Sequence, residues 1–497
     1  MRWSNRKEDG PHIAVGDGKG KMGAKHESLM YNFRGVYGYT LTPAVAWRAG
    51  FHVGRHFHEM SGGERPRVLV GSDHRFSGGV VKHFVIQGLL EAGCRAIDAG
   101  LVPTPIVSWG ASRLADGGCA VTASHNPPEY NGLKFFDNLG AVLQPDVEAA
   151  VLERAVAEGR LEPAPRQVRT DRYECIAAAE VMSRYAADLA NRVQLAGPLR
   201  VAVDCRLGMA GLAVKDVLTR LGCTVEALND LPHPYFLDGA GRYVDPEPTP
   251  KNLQALGQTV KEGGFDLGLA FDGDCDRVVV VDETGSPLLD DVTLLLLARA
   301  LGDAGQTRVI TMDTSLMVEK WLRERGHAVR VTPVGDPYVA QGIAASNASF
   351  GGVPNGHYLF PGFNGYSDGF CAAAMLARIA SEAKAQGGSL SALISELPPT
   401  HILKTKRPFG RSQGQFVRHV APALRRLFKR TCGEIDYMQT DDAVVACSSE
   451  TKKTLVRYNR WDHRLNVQAE SLVSAQEAQS NLDEMVRALD ATAARSA

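Results

Sequence analysis

Short apolar runs alternate with segments of helical spacing along most of the chain. Residues 67–71 (RVLVG) and 119–122 (CAVT) are typical of buried strands, whereas the apolar residues of 79–92 recur at helical intervals. A second block of the same kind opens with the run 199–204 (LRVAVD) and closes with 266–271 (DLGLAF). Such repeated alternation of strands and helices favours parallel α/β sheets.

The pattern continues through a third block and then changes. Strand-like runs at 308–312, 328–332 and 349–353 belong to the third block. Beyond residue 400, an Arg/Lys-rich helix precedes strand-like runs at 443–447 and 454–458 and a final helix, which indicates a smaller α+β unit. We therefore predict three similar α/β units and one different unit, although no exact sequence repeat relates them.

Pro-rich segments and composition suggest where these units begin and end. Residues 163–165 and 398–400 are candidate linkers, and residues 1–30 are rich in glycine and lysine, as expected of a loosely ordered extension. The predicted organisation is a polar N-terminal extension at 1–30 followed by four domains, at 31–165, 166–300, 301–400 and 401–497.

Composition and charge exclude several classes of protein. The 497 residues carry 55 Lys+Arg and 56 Asp+Glu, so the net charge of -1 provides no basic field for nucleic acid or an anionic membrane. The apolar stretch 288–301 is too short and too charged to cross a bilayer, and residues 1–28 lack a signal-peptide pattern. Nine scattered cysteines are typical of reduced thiols. We therefore expect a cytoplasmic protein that binds neither membranes nor nucleic acid.

The segment 121–136 (VTASHNPPEYNGLKFF) is the first candidate for chemistry. Ser124 stands at the end of a strand and is followed by His125, Asn126 and two prolines that fix the chain. A serine held in this way can act as a nucleophile or carry a phosphoryl group. The alternative interpretation is an ordinary polar turn capped by Ser124, with Lys134 as a surface lysine. The segment lacks the GxSxG pattern of a hydrolase elbow.

The segment 270–277 (AFDGDCDR) is the second candidate. Asp272, Asp274 and Asp276 alternate directly after an apolar strand, and three carboxylates this close repel one another unless a cation lies among them. Ligation by oxygen alone suits Mg²⁺, and Arg277 could face an anionic partner of the metal. A solvated acidic turn is the alternative. A calcium loop is disfavoured because residues 278–282 form a strand-like run.

These two motifs resemble those of the α-D-phosphohexomutase superfamily, the phosphoglucomutases and phosphomannomutases. TASHNP followed by NGLKF is similar to the phosphoserine loop of that family, and DGDCDR is similar to its metal loop. The resemblance extends to YNFRGV around Arg34 and to GSDHRFS at 71–77. It implies three α/β domains with mixed sheets plus a smaller α+β C-terminal domain around a central cleft.

The resemblance also implies roles for individual residues. Ser124 would carry the phosphoryl group and, through it, contribute to Mg²⁺ binding together with Asp272, Asp274 and Asp276. Lys134 would be the acid/base toward the sugar hydroxyl. The catalytic set implied is Ser124, Lys134, His125, Arg34 and Arg277. Phosphate would move between two positions of one sugar through a bisphosphate intermediate.

The loops that recognise the substrate depart from the family pattern. Where the family has Gly-Glu-x-Ser-Gly-His, this chain has Val353, Asn355 and His357, so a carboxylate that accepts hydrogen bonds from sugar hydroxyls is missing. Positions that commonly hold Lys or His in the family are Asp313 and Asp336 here.

The distal phosphate loop departs as well. Where the family has Arg-x-Ser-Gly-Thr-Glu-Pro, this chain keeps Arg457 but loses the hydroxyl donors and the glycine. Arg460 and Arg464 could supply charge in another geometry, and Trp461 could stack on a ring or pack in a core. The substrate-binding candidates are Val353, Asn355, His357, Arg457, Asn459, Arg460 and Arg464.

An intact catalytic half and altered recognition loops argue against glucose or mannose phosphate as the main substrate. We predict an Mg²⁺-dependent phosphosugar mutase that acts on a non-standard sugar or a sugar-like phosphate such as a cyclitol, as a monomer or homodimer. Two alternatives stay open. One is a phosphotransferase of the same fold that releases a sugar bisphosphate, and the other is a non-catalytic protein that binds sugar phosphates.

Overall fold

The computed structural model describes residues 33–62, 64–157, 170–302, 305–431, 438–440, 444–459 and 464–495. The predicted N-terminal extension at 1–30, the candidate linker at 163–165, and Arg460 and Trp461 lie outside these residues. Within the described part of the chain, no helix combines the length and apolar composition that a membrane crossing requires.

The first unit is a six-stranded sheet with helices packed against it. Its strands are β1 (Arg34–Val36), β2 (Arg67–Ser72), β3 (Arg95–Leu101), β4 (Gly117–Val121), β5 (Tyr130–Phe136) and β6 (Tyr173–Cys175). Its helices are α1 (Pro43–Met60), α2 (Gly78–Glu91), α3 (Thr104–Arg113), α4 (Pro145–Ala157) and α5 (Ala178–Ala190). The strand order is β1-β5-β4-β2-β3-β6, and only the contacts of β5 are antiparallel.

The second and third units each contain four strands. The second unit consists of β7 (Leu199–Asp204), α6 (Ala210–Arg220), β8 (Cys223–Leu228), α7 (Gln254–Gly263), β9 (Leu267–Phe271), β10 (Val278–Val281) and α8 (Asp290–Ala300). The third consists of β11 (Thr307–Thr311), α9 (Leu316–Glu324), β12 (Ala328–Thr332), α10 (Asp336–Ser346), β13 (Phe350–Val353), β14 (His357–Leu359), α11 (Gly369–Ala385) and α12 (Leu390–Ser395).

The first three sheets share one strand order. It is β5-β4-β2-β3 within the first sheet, β10-β9-β7-β8 in the second and β14-β13-β11-β12 in the third. In each, the first pair is antiparallel and the other pairs are parallel. The loops 122–129, 272–277 and 354–356 therefore occupy equivalent positions, each joining a central strand to its antiparallel neighbour.

The fourth unit is a five-stranded antiparallel sheet with helices. It comprises β15 (His401–Pro408), the short α13 (Gln413–Gln415), a π-helical turn (Phe416–Val420), α14 (Ala421–Thr431), β16 (Met438–Thr440), β17 (Val444–Ser448), β18 (Lys452–Asn459), β19 (Arg464–Ser471) and α15 (Ala475–Arg495). Its strand order is β15-β19-β18-β17-β16. The predicted fold class, three α/β units with mixed sheets and a smaller C-terminal unit, is confirmed.

The hydrophobic core joins the units to one another. Ile97, Val201, Phe271 and Ile310, which come from three different sheets, belong to one cluster of buried side chains. The fourth unit has its own core, but Leu455 of β18 packs in a cluster with side chains of the third unit. The pattern alone favours parallel sheets for the first three units, and this expectation is wrong at one edge of each of these three sheets, which are mixed. A loop as short as 272–277 joins adjacent antiparallel strands, whereas a parallel connection needs a longer crossover.

Candidate active site

Two of the three equivalent loops meet at the candidate active site. We call residues 122–129, between β4 and β5, the serine loop, and residues 272–277, between β9 and β10, the aspartate loop. The Oγ of Ser124 donates a hydrogen bond to Oδ2 of Asp272 at 2.7 Å. The two backbones are in close contact, because a Cβ added to Gly273 would lie 2.4 Å from the carbonyl oxygen of Ser124. The nucleophile predicted from the sequence thus contacts the predicted metal site.

Ser124 is held in a strained backbone conformation by a buried ion pair. Its φ of 52° lies in the left-handed region, which costs a serine of the order of 1 kcal/mol and needs support from the surroundings. Nη2 of Arg75 donates to the Ser124 carbonyl at 2.8 Å, and Nε of Arg75 donates to Asp73 at 3.0 Å. The Thr122 hydroxyl donates to Asp73 and accepts from the Ser124 amide, each at 2.8 Å.

The three aspartates of the aspartate loop form a compact, buried group. One ligand atom from each of Asp272, Asp274 and Asp276 lies within 4.8 Å of the others. Oδ1 of Asp274 is buried and has no hydrogen-bond partner, and Oδ1 of Asp276 is buried 3.4 Å from Nε2 of His357. A buried acceptor without a donor is rare, and a divalent cation with oxygen ligands would satisfy it and neutralise the three carboxylates. The donor set therefore fits a hard cation such as Mg²⁺.

Lys134 contacts the same carboxylates from the first unit. Its Nζ donates to Oδ2 of Asp274 at 2.9 Å and to Oδ2 of Asp276 at 2.6 Å. Burial alone would lower the pKa of Lys134, but the charges of Asp274 and Asp276 outweigh it and raise the pKa above its ordinary value. Lys134 is therefore protonated in this arrangement, which suits a proton donor. The alternative interpretation as a surface lysine is wrong, because the side chain is buried.

The pKa values of Asp272 and Asp276 are shifted in opposite directions. Burial, followed by the neighbouring charge of Asp276, raises the pKa of Asp272 to about 7. Burial acts in the same direction on Asp276, but Lys134 and His357 reverse it and hold the pKa of Asp276 well below its usual range. Asp276 thus stays ionised, and Asp272 is the carboxyl group that accepts the hydrogen bond of the Ser124 hydroxyl.

Arg277 and His125 border the Ser124 hydroxyl, and Arg34 contacts the neighbouring Asn126. Nε of Arg277 lies 3.1 Å from Oδ2 of Asp272, and its Nη2 donates to Nδ1 of His125. The Ser124 Oγ is 3.1 Å from the same His125 nitrogen. Burial, followed by the charges of Arg277 and Arg34, lowers the pKa of His125 well below its usual range, so the ring is neutral. Nη1 of Arg34 donates to Oδ1 of Asn126 at 2.5 Å.

The structure brings only part of the predicted recognition residues to this centre. Nε2 of His357 lies 3.4 Å from Oδ1 of Asp276, and Nδ1 of His357 is 2.8 Å from Oδ1 of Asn355. The Val353 side chain packs instead in a hydrophobic cluster with Val309. Of the remaining candidates that the structure describes, Arg457 and Asn459 are on β18 and Arg464 begins β19, in the fourth unit.

Comparison with known proteins identifies the family. Three profiles described as phosphoglucomutase/phosphomannomutase alpha/beta/alpha domains I, II and III match residues 29–161, 183–285 and 290–401. The chain belongs to this family. Members of this phosphohexomutase family are isomerases that move a phosphoryl group within one sugar phosphate, so the prediction of an intramolecular phosphotransferase is confirmed.

Individual phosphohexomutases resemble the chain over most of its length. A phosphoglucomutase/phosphomannomutase of Thermococcus kodakarensis is 36% identical over 384 residues, which are 76% of this chain and 81% of the relative. A Methanothermobacter thermautotrophicus protein named "Probable phosphoglucosamine mutase" is 37% identical over 342 residues, covering 69% of this chain and 72% of the relative. A solved phosphoglucomutase/phosphomannomutase family protein of Burkholderia thailandensis has a TM-score of 0.78 and 25% identity, covering 93% of this chain and 96% of its own.

Several residues of this phosphohexomutase site were missed by the sequence reasoning. The Thr104 hydroxyl at the start of α3 donates to Oδ2 of Asp274 at 2.7 Å, across 170 residues. The Tyr366 hydroxyl donates to Oδ2 of Asp276 at 3.0 Å, across 90 residues. Arg75 and Asp73 were seen only as part of a motif, without their contact to Ser124. No local signal marks Thr104 or Tyr366, because each acts through a partner from another unit.

Proposed function

We propose that the chain is an Mg²⁺-dependent phosphosugar mutase that acts on a non-standard sugar or sugar-like phosphate. The observation that carries the proposal is the contact between Ser124 and Asp272, with two further buried carboxylates, Arg277 and Lys134 around it. A serine hydroxyl at a divalent-cation site beside two cations is suited to carry a phosphoryl group.

Each residue has a specific part in the proposed reaction. A hydroxyl oxygen of the bound sugar phosphate attacks the phosphorus on Ser124 while the bond between phosphorus and Oγ breaks, which leaves a bisphosphate and free serine. Mg²⁺ held by Asp272, Asp274 and Asp276 supplies charge neutralisation at the transferring group. Arg277 and Arg34 balance the remaining negative charge.

Proton transfer falls to Lys134 in this mechanism. Its ammonium form donates a proton to the Ser124 oxygen that leaves phosphorus, and the amine that remains accepts the proton of the attacking sugar hydroxyl in the same transfer. The reverse transfer moves both protons the other way. His125 is neutral and orients Arg277 rather than exchanging protons. The bisphosphate then turns around and returns its other phosphoryl group to Ser124.

The recognition residues support a substrate other than glucose or mannose phosphate. The chain has Val353 where the family has a carboxylate, and Asp336 where a basic residue is common. Asp290 adds a second carboxyl group close to His357 and Arg277. A carboxyl group beside His357 favours a substrate with an ammonium group, and one relative is named "Probable phosphoglucosamine mutase". Amino-sugar phosphates and cyclitol phosphates are therefore the first substrates to test.

The test uses protein phosphorylated on Ser124, Mg²⁺ and a panel of phosphates of glucose, mannose, glucosamine, N-acetylglucosamine and inositol. Intact mass spectrometry reports which compound removes the phosphoryl group, and the Ser124→Ala variant is the negative control. Transfer to one narrow group supports the proposal. Equal transfer to glucose and mannose phosphates contradicts the proposed specificity, and full activity of Ser124→Ala contradicts the mechanism. Accumulation of a bisphosphate product identifies the phosphotransferase alternative instead.

A further inference from the structure

The segment between β14 and α11 presses a tyrosine against the aspartate loop. Tyr366 is almost completely buried, and its hydroxyl donates to Oδ2 of Asp276 at 3.0 Å. The next residue, Ser367, donates its Oγ to the backbone carbonyl of Asp276 at 2.8 Å. Asp276 is thus held by the third unit through both its side chain and its backbone.

The same contact involves Lys134. The Asp276 oxygen that accepts from Tyr366 also accepts from Nζ of Lys134 at 2.6 Å. The Lys134 ammonium lies 5.4 Å from the centroid of the Tyr366 ring, within the range of a cation–π interaction. Tyr366 therefore limits the positions available to both Asp276 and Lys134. Two donors on Oδ2 leave Oδ1 of Asp276 directed away from them, where Nε2 of His357 lies 3.4 Å from it.

Asp336 completes the group from the first turn of α10. The Tyr366 hydroxyl also forms a side-chain hydrogen bond with Asp336, so it lies between two carboxyl groups from different units. A phenylalanine would keep the ring and its packing on Phe136 but would remove the hydroxyl that separates the two carboxyl groups.

The backbone around Tyr366 allows little adjustment. The amide of Gly369 donates to the Cys275 carbonyl at 3.2 Å, and a Cβ at Gly369 would lie 2.7 Å from that oxygen. Asp368 begins α11 as its N-cap, and its two carboxylate oxygens share the single proton of the Tyr185 hydroxyl in a bifurcated hydrogen bond, at 2.7 and 2.8 Å. The segment is fixed on both sides, so the Tyr366 hydroxyl cannot move far from Asp276.

We propose that Tyr366 is a positioning residue that orients Asp276 for the divalent cation and for Lys134, and links Asp336 to that centre. The inference rests on the proposed cation site. Partners that orient metal-binding carboxylates commonly change metal affinity by 10–100-fold when they are removed. We expect Tyr366→Phe to weaken Mg²⁺ binding by about 10-fold, with a smaller change in the KM for the sugar phosphate.

Isothermal titration of the full-length chain with Mg²⁺ measures this directly, without a turnover assay. The matched control is Tyr173→Phe, which also removes a phenol from an aspartate, Asp98, at 3.1 Å, but lies on β6 and contacts neither the aspartate loop nor the Tyr366 segment. Thermal unfolding of both variants shows that they are folded. An unchanged Mg²⁺ affinity in Tyr366→Phe overturns the inference, and so does an equal weakening in Tyr173→Phe.

Asp336→Asn provides an independent second test. In the Tyr366→Phe background, Asp336→Asn removes the carboxyl group that faces Asp276 once the phenol is absent. Part of the lost Mg²⁺ affinity should therefore return. If the double variant binds Mg²⁺ more weakly than Tyr366→Phe alone, the link to Asp336 is wrong. A native chain that binds Mg²⁺ but transfers no phosphoryl group contradicts the proposed function and leaves the inference standing. A native chain that binds no Mg²⁺ overturns both.

Discussion

The buried charge of Lys134 is stabilised by its two carboxylate partners. It is buried between Asp274 and Asp276, and removing one partner of such an ion pair commonly costs about 3–5 kcal/mol because the other charges remain unpaired. We expect Lys134→Met to lose stability of this size in the presence of a chelator. Excess Mg²⁺ should restore much of it, because the cation neutralises the same carboxylates.

Urea unfolding with and without Mg²⁺ checks this expectation. The control is Lys82→Met, which removes a more exposed ion pair with Asp98 at 2.6 Å, far along the chain from the aspartate loop. Its loss should be smaller and the same in both conditions. A Lys134→Met variant that is equally unstable with Mg²⁺ and with chelator would mean that no cation binds at this centre.

His74 gives a prediction on pH. Burial lowers the pKa of His74 from 6.5 to about 4, against a weaker opposing effect of Asp73. The unfolded chain takes up a proton below pH 6.5 that the folded chain does not, so stability falls as pH falls from 6.5 toward 4. We expect native protein to lose about 2 kcal/mol more than His74→Phe between pH 7.5 and 5. Urea unfolding at the two pH values measures this. If the native protein and His74→Phe lost the same free energy of unfolding between pH 7.5 and 5, the prediction would be wrong.

Sequence reasoning at the residue scale was limited by distance along the chain. Ser124, His125 and the three aspartates stand in two short segments, so their chemistry is visible without a structure. Thr104 and Tyr366 complete the same centre from other units, and an isolated threonine or tyrosine carries no such signal. The state of Lys134 depends on two carboxylates about 140 residues away, and this contact could not be predicted from its own segment.

At the scale of elements, the site depends on how closely two loops approach. Gly273 allows this approach, because a Cβ there would lie 2.4 Å from the Ser124 carbonyl. Neither loop can give way: Met209 donates to the Gly273 carbonyl at 3.0 Å, and Arg75 holds the Ser124 carbonyl. We expect Gly273→Ala to cost about 1–3 kcal/mol and to lower kcat by about 100-fold, since small misplacements of reacting groups have effects of this size.

Steady-state kinetics and urea unfolding measure the two losses separately. Gly79→Ala is the control, because Gly79 lies in α2 and a Cβ there meets nothing within 4 Å. Alanine in a helix should leave activity unchanged and stability equal or slightly higher. A Gly273→Ala variant with native kcat would show that the contact between the loops is not needed for phosphoryl transfer.

The elements themselves were largely readable from the chain. The run 199–204 is the strand β7 within the same bounds, and the predicted helix over 79–92 is α2, Gly78–Glu91. The common strand order of the three sheets was not readable, because it depends on pairings such as Val203 with Leu269 that bring distant segments together. The predicted domain boundaries stay a prediction.

At the scale of the whole molecule, a single buried carboxylate joins the fourth unit to the third. Glu470 on β19 is fully buried. It accepts hydrogen bonds from the Leu316 amide and the Thr400 hydroxyl, each at 2.9 Å, and from Ser315. Ser315 is the N-cap of α9, so the negative charge lies at a helix N-terminus, where it is stabilised. The loop between β11 and α9 is thereby held against β19.

This contact makes a prediction about coupling between units. Glu470→Gln keeps the size of the side chain but removes the charge and turns one acceptor into a donor, which should cost about 2–4 kcal/mol. The loss should appear as faster amide hydrogen exchange at residues 312–316 and 464–471, because these two segments face each other across the contact. Exchange in the aspartate loop should stay unchanged, since its contacts come from the first three units.

Lys320→Met is the control for the same interface, because Nζ of Lys320 donates to the Glu450 carbonyl at its exposed edge, at 3.0 Å. Its effect should be within about 0.5 kcal/mol, as for other surface contacts. If Glu470→Gln exchanged no faster than Lys320→Met, the fourth unit would be held by its apolar contacts around Leu455 and by the hydrogen bonds that Lys453 and Gln468 donate to carbonyls of the third unit. If exchange also rose in the aspartate loop, the fourth unit would be coupled to the chemical centre, and the distal arginines on β18 and β19 would move together with it.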